Sequence, residues 1–348
     1  MARIPPPPLD LETVPVPTDR ILPRDLPLEQ GPAILASHPG PLLALRGPAG
    51  PEALLATSLR AALQGDGPAA VLGDLARPEL VASSRAEAEA RLGGAPVPDA
   101  VLFAGPGAPR VLQVRVPPVR VAVVMAGGEG TRLRPLTDRT PKPLLDVGGR
   151  PLLARTLDLL AGAGVKKVFL SIRYLGGQIR DAVGDGGSWG LEVVYLEEDR
   201  PLDTGAGLAL LPGADAPFFL MNGDLLTEID LQALARHHVL RHALATVATF
   251  RYAAPLPYGV VHAAGEQIRA IEEKPVFRYP VNAGIYVFSP AVLARVERGR
   301  PLAMVDFLNE LARGEAGLGC FPLVEPWNDI GSHNDLARAR EKLAERGE

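Results

Sequence analysis

Residues 123–145 read VVMAGGEGTRLRPLTDRTPKPLL, an apolar run that stops in a glycine-rich turn and continues into two cations. Gly127, Gly128 and Gly130 free the backbone to bring N–H groups against a polyphosphate. Arg132 follows, and its planar guanidinium forks onto phosphate oxygens in a way an ammonium does not. Lys142 stands between Pro141 and Pro143, which bias its backbone to an extended form and aim one ammonium at a fixed point. The choice of lysine is informative. Of 36 Lys and Arg residues five are lysines, at 142, 166, 167, 274 and 342, and the first 141 residues contain none. A chain that otherwise writes its positive charge as arginine uses a point charge at Lys142 in place of a fork.

Such a stretch fits at least three kinds of phosphate loop. A Walker A loop needs Lys-Ser or Lys-Thr directly after its glycines, and none is present. A dinucleotide fingerprint starting at Gly128-x-Gly130 should end in glycine or alanine, where Leu133 stands, and no acidic residue closes the next strand to take a ribose hydroxyl. A dinucleotide-dependent oxidoreductase is therefore a poor fit. A loop that wraps a triphosphate and neutralises it with Arg132 and Lys142 accounts for all of these residues.

The elements that must position the loop follow from periodicity. RVAVVMA is a short, nearly continuous apolar run, as in a parallel strand covered on both faces. After it come a helix at PLLARTLDLLAGAG that Gly162 or Gly164 can stop, a strand KKVFLSI, a short helix GQIRDAV and a strand LEVVYLEE. A helix starting at TGAGLALL, a strand PFFLMN, a helix LQALARHHVLRH and a strand ALATVATF continue the alternation. Strands are then expected at GVVHAA, QIRAIEE and AGIYVFS, and helices at MVDFLNELAR and NDLARAREKLAERGE, the last with Ser332 as N-cap and Asp335 three residues on. The pattern predicts an α/β fold with a doubly wound, mostly parallel, Rossmann-like sheet, whose ligands bind outside the carboxyl ends of the strands. His237 and His238 fall on a helix and are expected on its solvated face.

Composition sets outer limits. The 348 residues suffice for one large or two ordinary domains, and a net charge of −4 provides no basic footprint for nucleic acid. No apolar run reaches membrane-spanning length and no signal-peptide pattern opens the chain, so a soluble cytoplasmic protein without membrane contact is expected. A single cysteine, Cys320, excludes an intramolecular disulfide and is expected to be a small buried residue. Residues 1–20 hold four consecutive prolines and are expected to form a loosely held tail, and 21–116 a small α+β module joined through VPPVR.

Gly127-Gly128-Glu129-Gly130-Thr131-Arg132-Leu133-Arg134-Pro135-Leu136-Thr137, followed by Pro141-Lys142-Pro143-Leu144, closely resembles the signature of the sugar-1-phosphate nucleotidyltransferases. The resemblance continues in order through PLDTGAG, MNGDLL, PYGVV, EEKP, VNAGIYVF and WNDIGS, covers about residues 119–340, and implies a catalytic domain at 119–348. It implies the reaction NTP + sugar 1-phosphate → NDP-sugar + pyrophosphate. By this resemblance Ala126, Gly127, Gly128, Gly130, Thr131, Asp203, Thr204 and Gly205 hold the nucleotide, and Arg132 and Lys142 neutralise the phosphates. Asp224, at the carboxyl end of PFFLMN, and Asp329, in a turn before the last helix, are its metal aspartates. Mg²⁺ is their natural partner because it takes few protein carboxylates and keeps phosphate oxygens and waters in its shell. Tyr258, Gly259, Glu273, Lys274, Asn282 and Gly284 are its sugar-phosphate residues. No general base is required, since the attacking phosphate is already ionised.

Two departures bear on the substrate. Many members read Gly-Thr-Ala-Gly where this chain has Asp203-Thr204-Gly205-Ala206, and an acidic residue there resembles the muramic-acid-phosphate uridylyltransferases. The base stays open, with GTP favoured and UTP or dTTP as alternatives. Residues 21–116 resemble a CBS-pair module, and YPVNAGIYVFSPAVL and MVDFLNELARG resemble a bacterial subgroup that fuses this module to guanylyltransferases of nonulosonate pathways. The ribose aspartate of such modules is replaced by Ser58, which implies a degenerate module used for packing or homodimerisation. The competing reading is a non-catalytic nucleotide or sugar-phosphate sensor, and the intact Arg132, Lys142, Asp224 and Asp329 argue against it.

Overall fold

The structure is a computed structural model. It describes residues 116–347 apart from 315–316 and, before them, 11–16, 20–37, 42–46, 51–56, 59–60, 63, 80–82, 87–88, 100–103 and 110–114. Ser58, on which the degenerate ribose site rests, lies outside the described residues.

From Val121 the chain builds β1 (Val121–Met125), α1 (Leu152–Gly162), β2 (Lys167–Ile172), α2 (Gly176–Val183), β3 (Glu192–Glu197), α3 (Ala206–Leu210) and β4 (Phe218–Asn222). Then follow β5 (Leu225–Thr227), α4 (Leu231–Leu240), β6 (Ala245–Pro255), β7 (Val260–Ala264), β8 (Gln267–Glu272) and β9 (Val276–Phe288). The chain closes with α5 (Met304–Arg313), β10 (Leu318–Leu323), β11 (Trp327–Asp329) and α6 (His333–Glu345). Seven strands form the central sheet in the order β3-β2-β1-β4-β9-β6-β10. Only β9 runs antiparallel to its neighbours, so the sheet is mostly parallel, as the alternation predicted.

The continuous apolar strands are explained by burial on both faces. Ala122 and Val124 of β1 pack with Leu153, Leu157 and Leu160 of α1 on one side, while Val123 packs with Leu208 of α3 and Phe307 of α5 on the other. Ser332 caps α6 as expected, its hydroxyl oxygen accepting from the Asp335 N–H at 3.3 Å.

Several expectations fail for tertiary reasons. Leu11–Pro15, assigned to a loose tail, is a strand paired with Arg110–Val114; it is an edge strand, where proline is tolerated. The parts on either side of VPPVR touch, since Val324 packs against the core formed by Leu22, Ile34, Leu45 and Leu59. His237 and His238 are 7% and 1% exposed, not solvated, since α4 turns them onto the sheet. His238 Nε2 and Nδ1 each lie 3.0 Å from a hydroxyl, of Ser289 and Thr246 respectively. Ser289 already donates to Ala243 O, so its oxygen accepts from Nε2–H and Nδ1 accepts from Thr246. Burial lowers both imidazoles to about 4. Cys320 is exposed, because β10 is the edge of the sheet.

Candidate active site

The glycine turn leaves β1 at the carboxyl edge of the sheet. Ala126 N donates to Ser171 O at 2.8 Å, which holds the start of the turn against β2. Gly130 has φ +62°, and a Cβ there would sit 3.0 Å from Thr137 Cγ2 and 3.1 Å from Lys142 Cβ, so glycine is required twice over. Thr137, fully buried, donates its hydroxyl to Gly130 O at 2.9 Å, and Tyr174 OH donates to Thr137 O at 3.0 Å. Thr131, Arg132 and Leu133 form a single 3-10 turn with Leu133 buried, which leaves the Arg132 guanidinium over Gly331. Lys142 opens another short 3-10 turn, Lys142–Leu144; only Pro141 before it is extended, so the expected extended lysine is corrected.

The lysine is buried at 8% exposed, and its ammonium bonds Asp224 Oδ2 and lies 3.7 Å from Asp329 Oδ1. The two aspartates are brought together by a short ribbon. β5 pairs with β11 antiparallel, with Leu225 opposite Asp329, and Ile330 N donates to Asp224 O at 3.3 Å. Asp329 thus ends a strand and is not in a turn. Its carboxyl is pushed above the usual range by burial and by the Asp224 charge, against the opposing pull of Lys142 and Arg132. Asp224 Oδ1 is buried with no hydrogen-bond partner. An orphaned hard oxygen beside a second carboxylate fits a magnesium ion, which needs few protein ligands. Among the described residues no group of three or more His, Cys, Asp and Glu is assembled for a metal.

Beside this triad lies a cavity of about 300 Å³, lined by Gly127, Gly128, Asp203, Thr204 and Asp224 together with Arg173, Glu198 and Asn222. Asp203 has φ +66°, the left-handed region that glycine enters most easily; aspartate is among the residues that tolerate it. Its Oδ1 accepts from Thr204 N at 2.6 Å, and Thr204 Oγ1 accepts from Met304 N at 2.9 Å, tying the loop to α5. Gly205 leaves room for Leu302, whose carbonyl takes the Gly205 N–H at 2.7 Å.

Sequence reasoning missed Arg173, Glu198 and Asn222. Glu198 accepts from Ser171 Oγ at 2.9 Å and from Leu202 N at 3.3 Å, so its carboxylate is held against Gly127. In sequence it is one of the acidic run Glu197-Glu198-Asp199, and its position just past a strand was the one available signal. Arg173 reaches Glu129 at 3.4 Å.

The sugar-phosphate candidates divide into two groups. Asn282 Oδ1 accepts from Gly284 N at 2.9 Å, and Gly284, at φ +70°, lies so close to Asn222 that a Cβ would sit 2.6 Å from its Nδ2; these residues adjoin the cavity. Tyr258, Gly259, Glu273 and Lys274 stand instead at the base of the β7–β8 hairpin, with Tyr258 71% and the Lys274 side chain 69% exposed. Lys274 Nζ is 3.9 Å from Glu273 Oε1 and its φ is +48°. His262, on the same hairpin, is exposed and 3.5 Å from Glu272.

Comparison with known proteins identifies the family. The chain is 34% identical over 231 residues to a mannose-1-phosphate guanylyltransferase of Mycobacterium tuberculosis, covering 64% of each chain. It is 32% identical over 223 residues to the mannose-1-phosphate guanylyltransferase catalytic subunit beta of Drosophila melanogaster, covering 62% of this chain and 60% of that one. The chain thus spans just under two thirds of the length of these relatives. Among solved structures, HddC from Yersinia pseudotuberculosis complexed with GMP-PN has the same fold, with a TM-score of 0.51 at 24% identity, over 64% of this chain and 99% of that one. The nucleotidyl transferase family model matches residues 121–346, the stretch that holds the glycine turn, the lysine and both aspartates, and the chain belongs to that family.

Proposed function

We propose that the protein transfers a nucleotidyl group from an NTP to a sugar 1-phosphate, releasing pyrophosphate, and that GTP is the preferred donor. The observation that carries the reading is the convergence of Lys142, Asp224 and Asp329 beside the glycine turn. The backbone of Gly127–Gly130 cradles the triphosphate. An oxygen of the sugar phosphate attacks the α-phosphorus, the bond from that phosphorus to the bridging oxygen breaks, and pyrophosphate departs without any proton transfer. Arg132 and Lys142 hold the two anionic reactants together and offset charge as it moves to the leaving group. Asp224 and Asp329 would hold a Mg²⁺, which when bound supplies further positive charge to the phosphates. Asn282 and Gly284 border the sugar, and Glu273 and Lys274 meet its hydroxyls and phosphate.

Two things support GTP. The relatives named above are guanylyltransferases. In the cavity, Glu198 offers an anchored carboxylate, an acceptor-only group that suits the adjacent N–H and amino donors of guanine. The N-terminal part is a degenerate CBS-like module that serves packing or homodimerisation, and the protein works in the cytoplasm. The test is pyrophosphate release over four NTPs and a panel of sugar 1-phosphates with Mg²⁺. Release with GTP is expected first. A preference for UTP or dTTP would overturn the base assignment, and nucleotide binding without release from any pair would leave a sensor in place of an enzyme.

A further inference from the structure

Arg60 belongs to the N-terminal module, yet its side chain is 3% exposed and its partners belong to the catalytic part. Nη1 donates to Glu325 Oε2 at 2.8 Å, and Nη2 lies 2.5 Å from Glu325 Oε1 and 4.0 Å from Asp230 Oδ2. The guanidinium also lies over the Phe321 ring, 4.9 Å from its centroid. Glu325 and Asp230 are at one end of the β5–β11 ribbon, Glu325 before β11 and Asp230 after β5. The ribbon continues to this end, since Glu228 N donates to Pro326 O at 3.1 Å and Asp230 N to Glu325 Oε1 at 3.4 Å. Asp224 and Asp329 stand at its other end. From Glu325 to Asp329 is about 13 Å of extended chain. A second, independent grip lies next to the first: Val324 is packed into the core of the module.

We propose that Arg60 is a positioning residue for the two aspartates, and that the N-terminal module is a working part of the catalytic centre through the ribbon it clamps. The inference rests on the metal reading given above. A ribbon of three residues per strand has little rigidity of its own. Remove Arg60, and the carboxylates of Asp230 and Glu325, each within 4.0 Å of its guanidinium, lose their common counter-charge, which loosens the hold between the two strand ends. The aspartates at the opposite end then lose their common target.

The test uses the full-length protein with Arg60→Gln, Arg60→Lys and, alongside, Asp329→Asn. Amide hydrogen exchange of residues 325–331 is read with and without Mg²⁺, together with the magnesium half-saturation, kcat and KM of pyrophosphate release. Arg60→Gln should speed exchange across 325–331, raise the magnesium half-saturation and lower kcat, each by roughly tenfold, with both KM values within about twofold. Arg60→Lys keeps the charge and loses the fork, so it should fall between; it also carries the test if Arg60→Gln does not fold. Folded Arg60 variants with wild-type exchange and magnesium half-saturation would overturn the proposal. Unchanged magnesium dependence in Asp329→Asn would overturn the metal reading itself, whereas a defect there and none at Arg60 overturns this inference alone.

Discussion

Acidification should unfold this protein through α4. His237 and His238 are both buried and neutral, with pKa values lowered from 6.5 to about 4 mainly by burial. For a base held down in this way, the unfolded chain takes up a proton below about 6.5 while the native state refuses it. The stability each contributes is fully present above 6.5 and is lost as the pH falls toward 4. Between pH 7 and 5 the linkage comes to about 2 kcal/mol per histidine, or nearly 4 kcal/mol for the pair. That is a large share of the 5–15 kcal/mol typical of a folded domain. The perturbation that isolates it is His237→Leu. This ring packs edge-on to Phe321, 5.6 Å between centroids, and its Nδ1 has no partner, so a leucine removes a titrating group without leaving a bonded group unpaired. Urea unfolding followed by fluorescence of Trp327, which stacks on Phe250 at 4.9 Å, reports the loss of this region. The stability of the wild type should fall from pH 7 to 5 with a slope approaching two protons, and that of His237→Leu with a slope near one. Parallel profiles for the two proteins, or a flat wild-type profile over this window, would refute the reasoning.

Other outcomes follow from the site. Asp224→Asn should lower kcat by about 10²-fold at saturating magnesium, as for the loss of one preorganised electrostatic group, measured by pyrophosphate release. Lys142→Ala should lower kcat with little change in KM, whereas Lys274→Ala should raise KM for the sugar phosphate with kcat nearly intact; steady-state kinetics with the sugar phosphate varied separates the two. Asp203→Gly should raise the thermal midpoint or leave it unchanged, because it removes a side chain from a left-handed position, and Asp203→Leu should cost about 1–2 kcal/mol in the same scan.

The parts of the fold that were legible in the sequence are those whose neighbours are local or uniform. β1, β2 and β4 are apolar on both faces and read as continuous runs, and α5 appears over the same residues, Met304–Arg313, that its amphipathic pattern marks. The glycine turn follows β1 and Asp224 lies just past β4, as the apolar runs before them predicted. What stayed hidden depends on distant partners. β5 and β11 are three residues each, too short for any period, and each exists because the other lies about a hundred residues away. His238 reads as a surface residue until Thr246 and Ser289 supply its hydroxyls from β6 and the end of β9. Arg60 is one arginine among many until the module packs against Glu325. β6 and β9 outrun their expected lengths because, past the core, they pair with each other as an exposed arm, Thr249 opposite Asn282 through Pro255 opposite Val276.

The salt bridge that joins Lys142 to Asp224 and Asp329 would also, on the proposed reading, couple the loading of nucleotide and metal. An ammonium lodged between two carboxylates would compete with a dication for the same oxygens. A triphosphate on the glycine turn would offer that ammonium a second partner and so lessen the competition. Nucleotide and metal should therefore load as one synergistic unit, each tightening the other, with the sugar phosphate following into a centre whose charges have already been rearranged to receive it.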